Sequence, residues 1–480
     1  MMKAECSFSQ NEQTLREMLF NSSDFKSTDF GAGERQYRLF YLQASIEPAM
    51  IQEHIIRPLL QNFQSSVREA VSILDYSETD QLQLASKALV EGKAVVQIDG
   101  ESTFYLLGVE LTKERSINIP LNERSLRGAH RALNENIDTS INMMRKLIES
   151  PDLVVKYFQV GRRSNTRVAV LYLQSLANEV VLTEFERRIQ NIEIDYVEAP
   201  GFVTELIEEK SFSLFPKILI TERPDRVRSY LMDGKIAILT DGSPDSLIVP
   251  VSFWAFFQAL DDYQIGWLVG SLIRFLRVIC FLFAISLPGI YVTIVTFDPR
   301  IIPFEIALTL QGSMQYVALP PIFEALTMLA VLEVLREAAI RMPNPIGQTI
   351  GVVGGIVIGT VVVQSNLISN MMVVIIALTA VASFLIPSYE MSSAARLLTY
   401  PFIMMSTLFG LVGVVMSFLL VLGHLSRLNT MGIPYFYSGF NGDTIKDTLF
   451  RMPIRTLKKR PMESLSKDET RFKEKEGDSG

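Results

Sequence analysis

Enzymes leave recognisable strings of reactive residues, and this 480-residue chain carries little of that raw material. Its three histidines, His54, His130 and His424, are scattered, so a histidine-rich metal site is not expected. Cys6 lies in a polar terminus and Cys280 in an apolar run. Without CxxC spacing they suggest a reducing compartment and offer no redox or metal site. A Walker phosphate loop, HExxH, GxSxG and an EF-hand loop are all missing. Asp241-Gly242-Ser243-Pro244-Asp245 is acidic, but a tight turn explains it better than a bound cation. Neither a cofactor nor an enzymatic activity is expected.

The informative chemistry is charge in oily surroundings. Glu324, Glu333, Arg336, Glu337 and Arg341 fall in one helical pattern, Pro321–Arg341. A charge at the centre of a bilayer costs at least about 2.5–3.5 kcal/mol, so this helix is expected at an interface or inside an assembly, not facing lipid. Glu333 with Arg336, and Glu337 with Arg341, have the spacing of pairs along one helix. Glu324 follows Pro320-Pro321; it reads either as a functional carboxylate or as a helix-start residue favoured by the helix dipole. His424 reads as an interfacial histidine ahead of a proton relay. A second pattern lies in Ile346–Val363, where Gly347, Gly351, Gly355 and Gly359 recur every fourth residue. At about 100° per residue they cover one side of a helix, while Thr349, Val353, Val357, Thr360 and Gln364 fall opposite, at about 200–280°. Such glycines let helices approach closely in lipid. The valine face, ending in threonine and glutamine, could line a narrow pore with a hydrophobic constriction, or face lipid.

Two unlike halves must position these residues. Residues 1–250 hold 28 Lys/Arg and 36 Asp/Glu, whereas residues 301–440 hold nine charges. The chain therefore reads as an α/β cytoplasmic domain (1–250) fused to an α-helical multi-pass membrane domain (251–430), and a purely soluble enzyme does not fit. Net acidity argues against a nucleic-acid partner. Met1–Gln13 is polar with no apolar core, so no signal peptide is expected. Phe253, Trp254, Phe256, Phe257 and Trp267, with Arg274 and Arg277, look like a membrane interface. The charge-free runs Val278–Phe297, Ile346–Val363, Leu367–Pro387 and Pro401–Leu425 are expected to span the membrane; six crossings result if Ile301–Leu310 and Pro321–Arg341 also insert. Arg274 and Arg277 before the first span, and Arg451, Arg455, Lys458, Lys459 and Arg460 after the last, predict both termini in the cytoplasm. Residues 431–480 are expected to be a charged, largely disordered tail.

The soluble half reads as mixed α/β. Strands are expected at Arg38–Ala44, Ala94–Ile98, Thr103–Val109, Arg167–Gln174 and Glu193–Val197; helices are expected at Glu47–Gln64, Asp80–Glu91, within Glu123–Ser150, and at Ala177–Arg188. Tyr41-Leu42-Gln43 precedes Gly92-Lys93 and Asp99-Gly100; Tyr172-Leu173-Gln174 precedes Gly234-Lys235 and Asp241-Gly242. This suggests two related halves, about 30–120 and 150–248. Convergent hairpin chemistry, in which Asp-Gly supplies a turn, is the competing explanation.

Several strings resemble a known family. They are Phe20–Asp24, Leu126-Arg127-Gly128, Thr166–Tyr172, Thr221–Val227, Gly234–Pro244, Pro320–Leu326, Leu335–Ala338 and Pro345–Gly351. Over nearly the whole chain they look like the A subunit of the GerA-type nutrient germinant receptors of spore-forming bacteria. The resemblance implies a spore inner-membrane protein that triggers germination. Its implied partners are a transporter-like B subunit that binds the nutrient and a lipoprotein C subunit, and the A subunit is implied to form a homo-oligomeric, pentameric cation channel. A membrane-anchored scaffold without its own pore, and a paralogous sporulation membrane protein, are the alternatives. A transporter fits less well, since no inverted repeat of broken helices is evident.

Overall fold

Two stretches of β-branched and aromatic residues build two five-stranded antiparallel sheets in a computed structural model of the chain. The structure describes residues 3–33, 35–109, 120, 123, 130–209, 212–297, 299–301, 303–342, 355–357, 359–436 and 447–472. The first sheet contains β1 (Phe25–Ala32), β2 (Arg35–Leu42), β3 (Tyr76–Thr79), β4 (Ala94–Ile98) and β5 (Phe104–Leu107), in the order β1-β2-β4-β5-β3. The second contains β6 (Leu153–Val160), β7 (Thr166–Leu173), β8 (Leu219–Thr221), β9 (Ile236–Thr240) and β10 (Ser246–Val249), in the order β6-β7-β9-β10-β8. The second order is the first shifted by five strands, and the register repeats too. Ala94 faces Leu107 as Ile236 faces Val249, and Tyr37 faces Ile98 as Val168 faces Thr240.

The Gly-Lys strings explain the local likeness. Gly92 and Gly234 adopt φ of 88° and 87°, directly after the helices Leu82–Val90 and Pro224–Met232. In both halves the glycine N–H bonds back to the residue three before it, and the lysine N–H to the residue five before it (Lys93 to Ala88, 2.9 Å; Lys235 to Tyr230, 3.0 Å). This is the Schellman helix stop, which requires a left-handed residue that glycine adopts without a Cβ clash. Repeated order, register and helix stop together go beyond what hairpin chemistry alone produces.

Helices cover both faces of each sheet. We number the principal ones α1 (Phe8–Met18), α2 (Leu82–Val90), α3 (Ile137–Leu147), α4 (Glu179–Gln190), α5 (Pro200–Ile207) and α6 (Pro224–Met232). Because side chains alternate along a strand, Ala94, Val96 and Ile98 pack with Ile51, Ile55 and Leu59 of a helical run, while Val95 packs with Leu15 and Leu89 of α1 and α2. In the second sheet Ile236 and Ile238 meet Val181, Phe185, Val203 and Ile207. Ala237 and Leu239 meet Ile141, Met144 and Leu231, in a cluster that continues without a break into Phe281, Ala284, Ala395 and Phe402 of the apolar helices. Each fully buried Leu, Ile or Val contributes roughly 1.5–3 kcal/mol, so this shared core binds the second half firmly to the helices.

The halves are also joined by a buried ion pair. Arg145 on α3 grips Asp24, just before β1, through Nε to Oδ2 (2.8 Å) and Nη2 to Oδ1 (2.9 Å), and both side chains are shut off from solvent. Ser22 Oγ donates to Asp24 (2.6 Å) and accepts the backbone N–H of Val155 (2.9 Å).

Beyond the sheets run α7 (Trp267–Thr296), α8 (Phe304–Met314), α9 (Pro321–Arg341), α10 (Gly355–Gln364), α11 (Asn370–Phe384) and α12 (Tyr389–Leu425). Among the described residues, α7 and α12 are long and apolar enough to cross a bilayer. α11, at about 1.5 Å per residue, is shorter than a hydrocarbon core of about 30 Å. The expected runs at Leu367–Pro387 and Pro401–Leu425 therefore become one short helix and one longer one that starts at Tyr389. α7 packs along α12, where Thr399 Oγ1 donates to the Ala284 carbonyl (2.9 Å). α12 bends at Gly410, whose φ of 57° and ψ of −141° are not helical.

Three expectations need correcting. Glu193–Val197 is not a strand: its carbonyls at Ile194 and Asp195 accept the N–H groups of Arg162, Arg163 and Ser164, so the segment caps the β6–β7 turn. The helix within Glu123–Ser150 is confined, among the described residues, to Ile137–Leu147, started by Asn136, whose side chain accepts the Thr139 N–H. Residues 447–472 of the expected disordered tail are packed on the second half, because their charges find partners there: Glu463 with Lys235 (2.6 Å), Lys467 with Glu179 (2.8 Å) and Arg471 with Asp233 (2.6 Å).

Candidate functional site

Near the glycine-and-valine helix lies a buried carboxylate. Glu324 lies in the first turn of α9, which starts at Pro321 because proline needs no N–H partner there. Its side chain is fully buried, and Oε2 accepts the backbone N–H of Ser369 (2.8 Å), the N-cap of α11. The hydroxyls of Tyr291 (α7) and Ser369 stand 3.4 Å apart beside it. Glu324 Oε1 has no partner among the described residues. The carboxylate thus sits where two helix N-termini converge. Around it pack Val292, Ala325, Met328, Ile368, Met372 and Ile403, with Val362 of α10 resting on them. The turn after α10 is tied on by the Ala318 N–H to the Asn366 carbonyl (2.9 Å).

This arrangement leaves α10 with two unlike sides. Val362, on the glycine side at about 60° of the helical wheel, touches the chain. Val357 (51% exposed), Thr360 and Gln364, at about 220–280°, face outward, as do Ile356 and Val361 on either side of them. The Thr360 hydroxyl is already spent on its own helix, donating to the Ile356 carbonyl (2.8 Å). A methyl group added at Gly355 or Gly359 would meet nothing within 4 Å, so these glycines are not packed against the chain itself. Thr349, Val353, Gly347 and Gly351 lie outside the described residues.

The remaining charges of α9 pair locally. Arg336 donates to Glu333 (2.8 Å) and Arg341 contacts Glu337 (2.6 Å). Arg396 of α12 also approaches Glu333 (3.4 Å), so two half-buried guanidiniums share one carboxylate, stacked on Phe384 and Tyr389 respectively. On α9 itself Glu324, Ala325 and Met328 are buried, whereas Phe323, Val334 and Ile340 are exposed.

A second charged centre, not anticipated as a unit, stands at the foot of α7. Arg274 is fully buried inside the helix, not in a flanking segment; its Nε lies 3.4 Å from Asp262, which also takes Arg277 (2.7 Å). From the tail, Asp447 accepts from Arg274 and from the Tyr263 hydroxyl, and Arg451 donates to the Tyr263 carbonyl (3.2 Å). Burial raises the Tyr263 phenol and the Asp233 carboxyl above their ordinary values. Burial works against charge on Lys235 as well, but Glu463 and Tyr230 hold its ammonium above the ordinary value. A cavity of about 1230 Å³ opens between this tail and α6, bordered by Asp225, Tyr230, Lys235, Tyr263, Glu463 and Arg471. The only signal in the sequence is the presence of Arg274 and Arg277 at the edge of an apolar run; their carboxylate partners are remote.

The family model described as Bacillus/Clostridium GerA spore germination protein matches residues 13–463. Spore germination protein B1 of Bacillus subtilis (strain 168) is 34% identical, with 98% of this chain and 100% of that protein covered. Spore germination protein A1 of the same strain is 36% identical over 82% of each. The Bacillus subtilis (strain 168) protein named Uncharacterized membrane protein YfkQ is 32% identical over 94% of this chain and 90% of its own length. The crystal structure of the N-terminal domain of the A subunit of the Bacillus megaterium spore germinant receptor GerK3 is similar at 28% identity. Its TM-score is 0.41, with 52% of this chain and 98% of that chain covered. The family model and the Bacillus subtilis germination proteins match through both the soluble and the apolar halves, and the chain is a membrane protein that belongs to the GerA family of spore germination receptor A subunits.

Proposed function

We propose that copies of this chain, five in number, assemble around α10 into a cation channel of the spore inner membrane that opens when a nutrient is sensed. A transporter-like B subunit binds the nutrient and a lipoprotein C subunit completes the complex. The observation that carries this reading is the uncovered Val357–Thr360–Gln364 side of α10, set opposite the side that touches its own chain. A valine ring of that kind closes a pore by dewetting, and a small rotation opens it. Nutrient binding elsewhere shifts the closed–open equilibrium through different contacts in the two states. Both termini lie in the cytoplasm. In support, the end of α12 meets the second soluble half through Ser213 to His424, and the start of α7 is held by Asp447 of the tail that packs on that same half.

The test is conductance of the purified, reconstituted protein. Cation current is expected, and Val357→Ala or Thr360→Ala is expected to raise leak in the closed state by widening the constriction. An oligomeric preparation without current, or current indifferent to both substitutions, defeats the pore assignment and leaves the anchored scaffold.

A further inference from the structure

The segment between α5 and β8 presents apolar side chains in an unusual place. Phe212 is 99% exposed and Leu214 is 40% exposed, whereas the residues alternating with them are anchored. Ser213 Oγ hydrogen-bonds His424 Nε2 (3.0 Å), and the Phe215 ring is buried against Phe253 and beside the His424 ring. Ser213 Oγ also accepts the Phe215 N–H (3.1 Å), which fixes the turn. The outward direction of Phe212 and Leu214 is therefore set by two inward anchors.

His424 ends a row on α12. Beyond the bend at Gly410, Val412, Met416 and Leu420, spaced four apart, are all exposed and share one side of a helix that is long and apolar enough to cross a bilayer. The loop takes over where that row ends, with exposed Arg427 three residues beyond His424. We infer that Phe212 and Leu214 form a wedge that enters the interfacial region of the lipid bilayer and holds the second soluble half against the membrane surface. An aromatic ring with an aliphatic neighbour suits the boundary between headgroups and acyl chains, and a nearby arginine suits anionic headgroups. Continuity with the exposed apolar row selects lipid as the occupant over a protein partner. The inference rests on membrane residence alone and stands apart from the channel reading.

The test uses the full chain in vesicles of phosphatidylethanolamine and phosphatidylglycerol. Exposed Cys6 is changed to serine, buried Cys280 is kept, and an environment-sensitive fluorophore is attached to F212C or, as a control, to L74C on the fully exposed Leu74. Wild-type elution of each labelled protein on size exclusion checks the fold. A blue-shifted emission at position 212, quenched several-fold more by lipids with a nitroxide near the headgroup than by lipids with one near the chain end, is expected, with position 74 unaffected. Emission at 212 matching that at 74 overturns the wedge. So does a blue shift that no lipid nitroxide quenches, because a partner or second copy then covers the loop.

Discussion

Removing Arg145 tests whether the two soluble halves are held by charge as well as by packing. Asp24 and Arg145 are both fully buried, and the guanidinium also donates to Ser22 Oγ (3.1 Å) and to the Leu153 carbonyl (3.0 Å). Arg145→Met keeps most of the volume but leaves a carboxylate in the core without its cation. Breaking a buried pair from one side costs about 3–5 kcal/mol, whereas replacing both partners by apolar groups is often near neutral. A domain of 150–250 residues shifts by about 2–4 °C per kcal/mol, so the single variant should lose about 6–20 °C. Asp24→Leu alone should lose a comparable amount, and the double variant should lose less than the sum. Trp254, half-buried in the shared core, reports unfolding by its fluorescence in detergent-solubilised protein. Arg145→Lys should fall between, since one ammonium cannot reproduce the paired N–H fork. A loss under about 1 kcal/mol for Arg145→Met, or strict additivity in the double variant, would show that the pair does not couple the halves.

Three further outcomes follow from single sites. Glu324→Gln, whose amide oxygen still accepts the Ser369 N–H, should change thermal stability little, while Glu324→Leu strands that N–H and should cost about 1–3 kcal/mol, read as detergent-solubilised melting. Gly234→Ala should destabilise by more than the left-handed cost of about 1–2 kcal/mol, because the new methyl would lie 2.8 Å from Ser466 Cβ and 2.9 Å from the Leu176 carbonyl oxygen. Gly242→Ala, also left-handed but with nothing within 4 Å, should show that cost alone, and equal losses at the two positions would refute the steric argument. Burial, then Glu222 and Glu390, raises the Asp245 carboxyl above its ordinary value. The folded state thus binds this proton more tightly than the unfolded state, so the contribution of Asp245 is present at low pH. It is lost as pH rises from the ordinary carboxylate value through the raised folded one. Asp245→Asn should therefore stabilise the protein at neutral pH and not in acid; an equal effect at both would contradict the assignment.

Local chemistry was legible in the sequence, and distant pairing was not. Gly92-Lys93 and Gly234-Lys235 announce themselves because a helix stop is written in three adjacent residues. The starved charge content of residues 301–440 likewise marks the apolar helices without reference to any partner. Glu193–Val197 misled because its alternation mimics a strand, although it closes a turn formed by Arg162–Ser164. Arg274 meeting Asp262 and Asp447 joins a helix, the linker before it and the tail, and no spacing rule connects them. Composition treated the tail as solvated, but its Lys467, Arg471 and Glu463 have fixed counter-charges on the second half. The face of α10 was readable from periodicity, whereas the buried setting of Glu324 depended on a turn, at Ser369, that belongs to another helix.

The tail that grips α6 and the foot of α7 has a mechanical consequence. The helical stretch is held near its start at Arg274, by Asp447 of the tail, and ends beside Ser213, so both of its ends are clamped to one body. A strand of rope tied at both ends to the same post cannot slide past it; only its slack can move. Here the slack lies between α7 and α12, in the part that carries α8, α9, α10 and α11. A rearrangement transmitted from the soluble half would therefore drive the two long helices as one frame, with α9 and α11, joined to each other at Glu324–Ser369 and to α7 at Tyr291, carried on it.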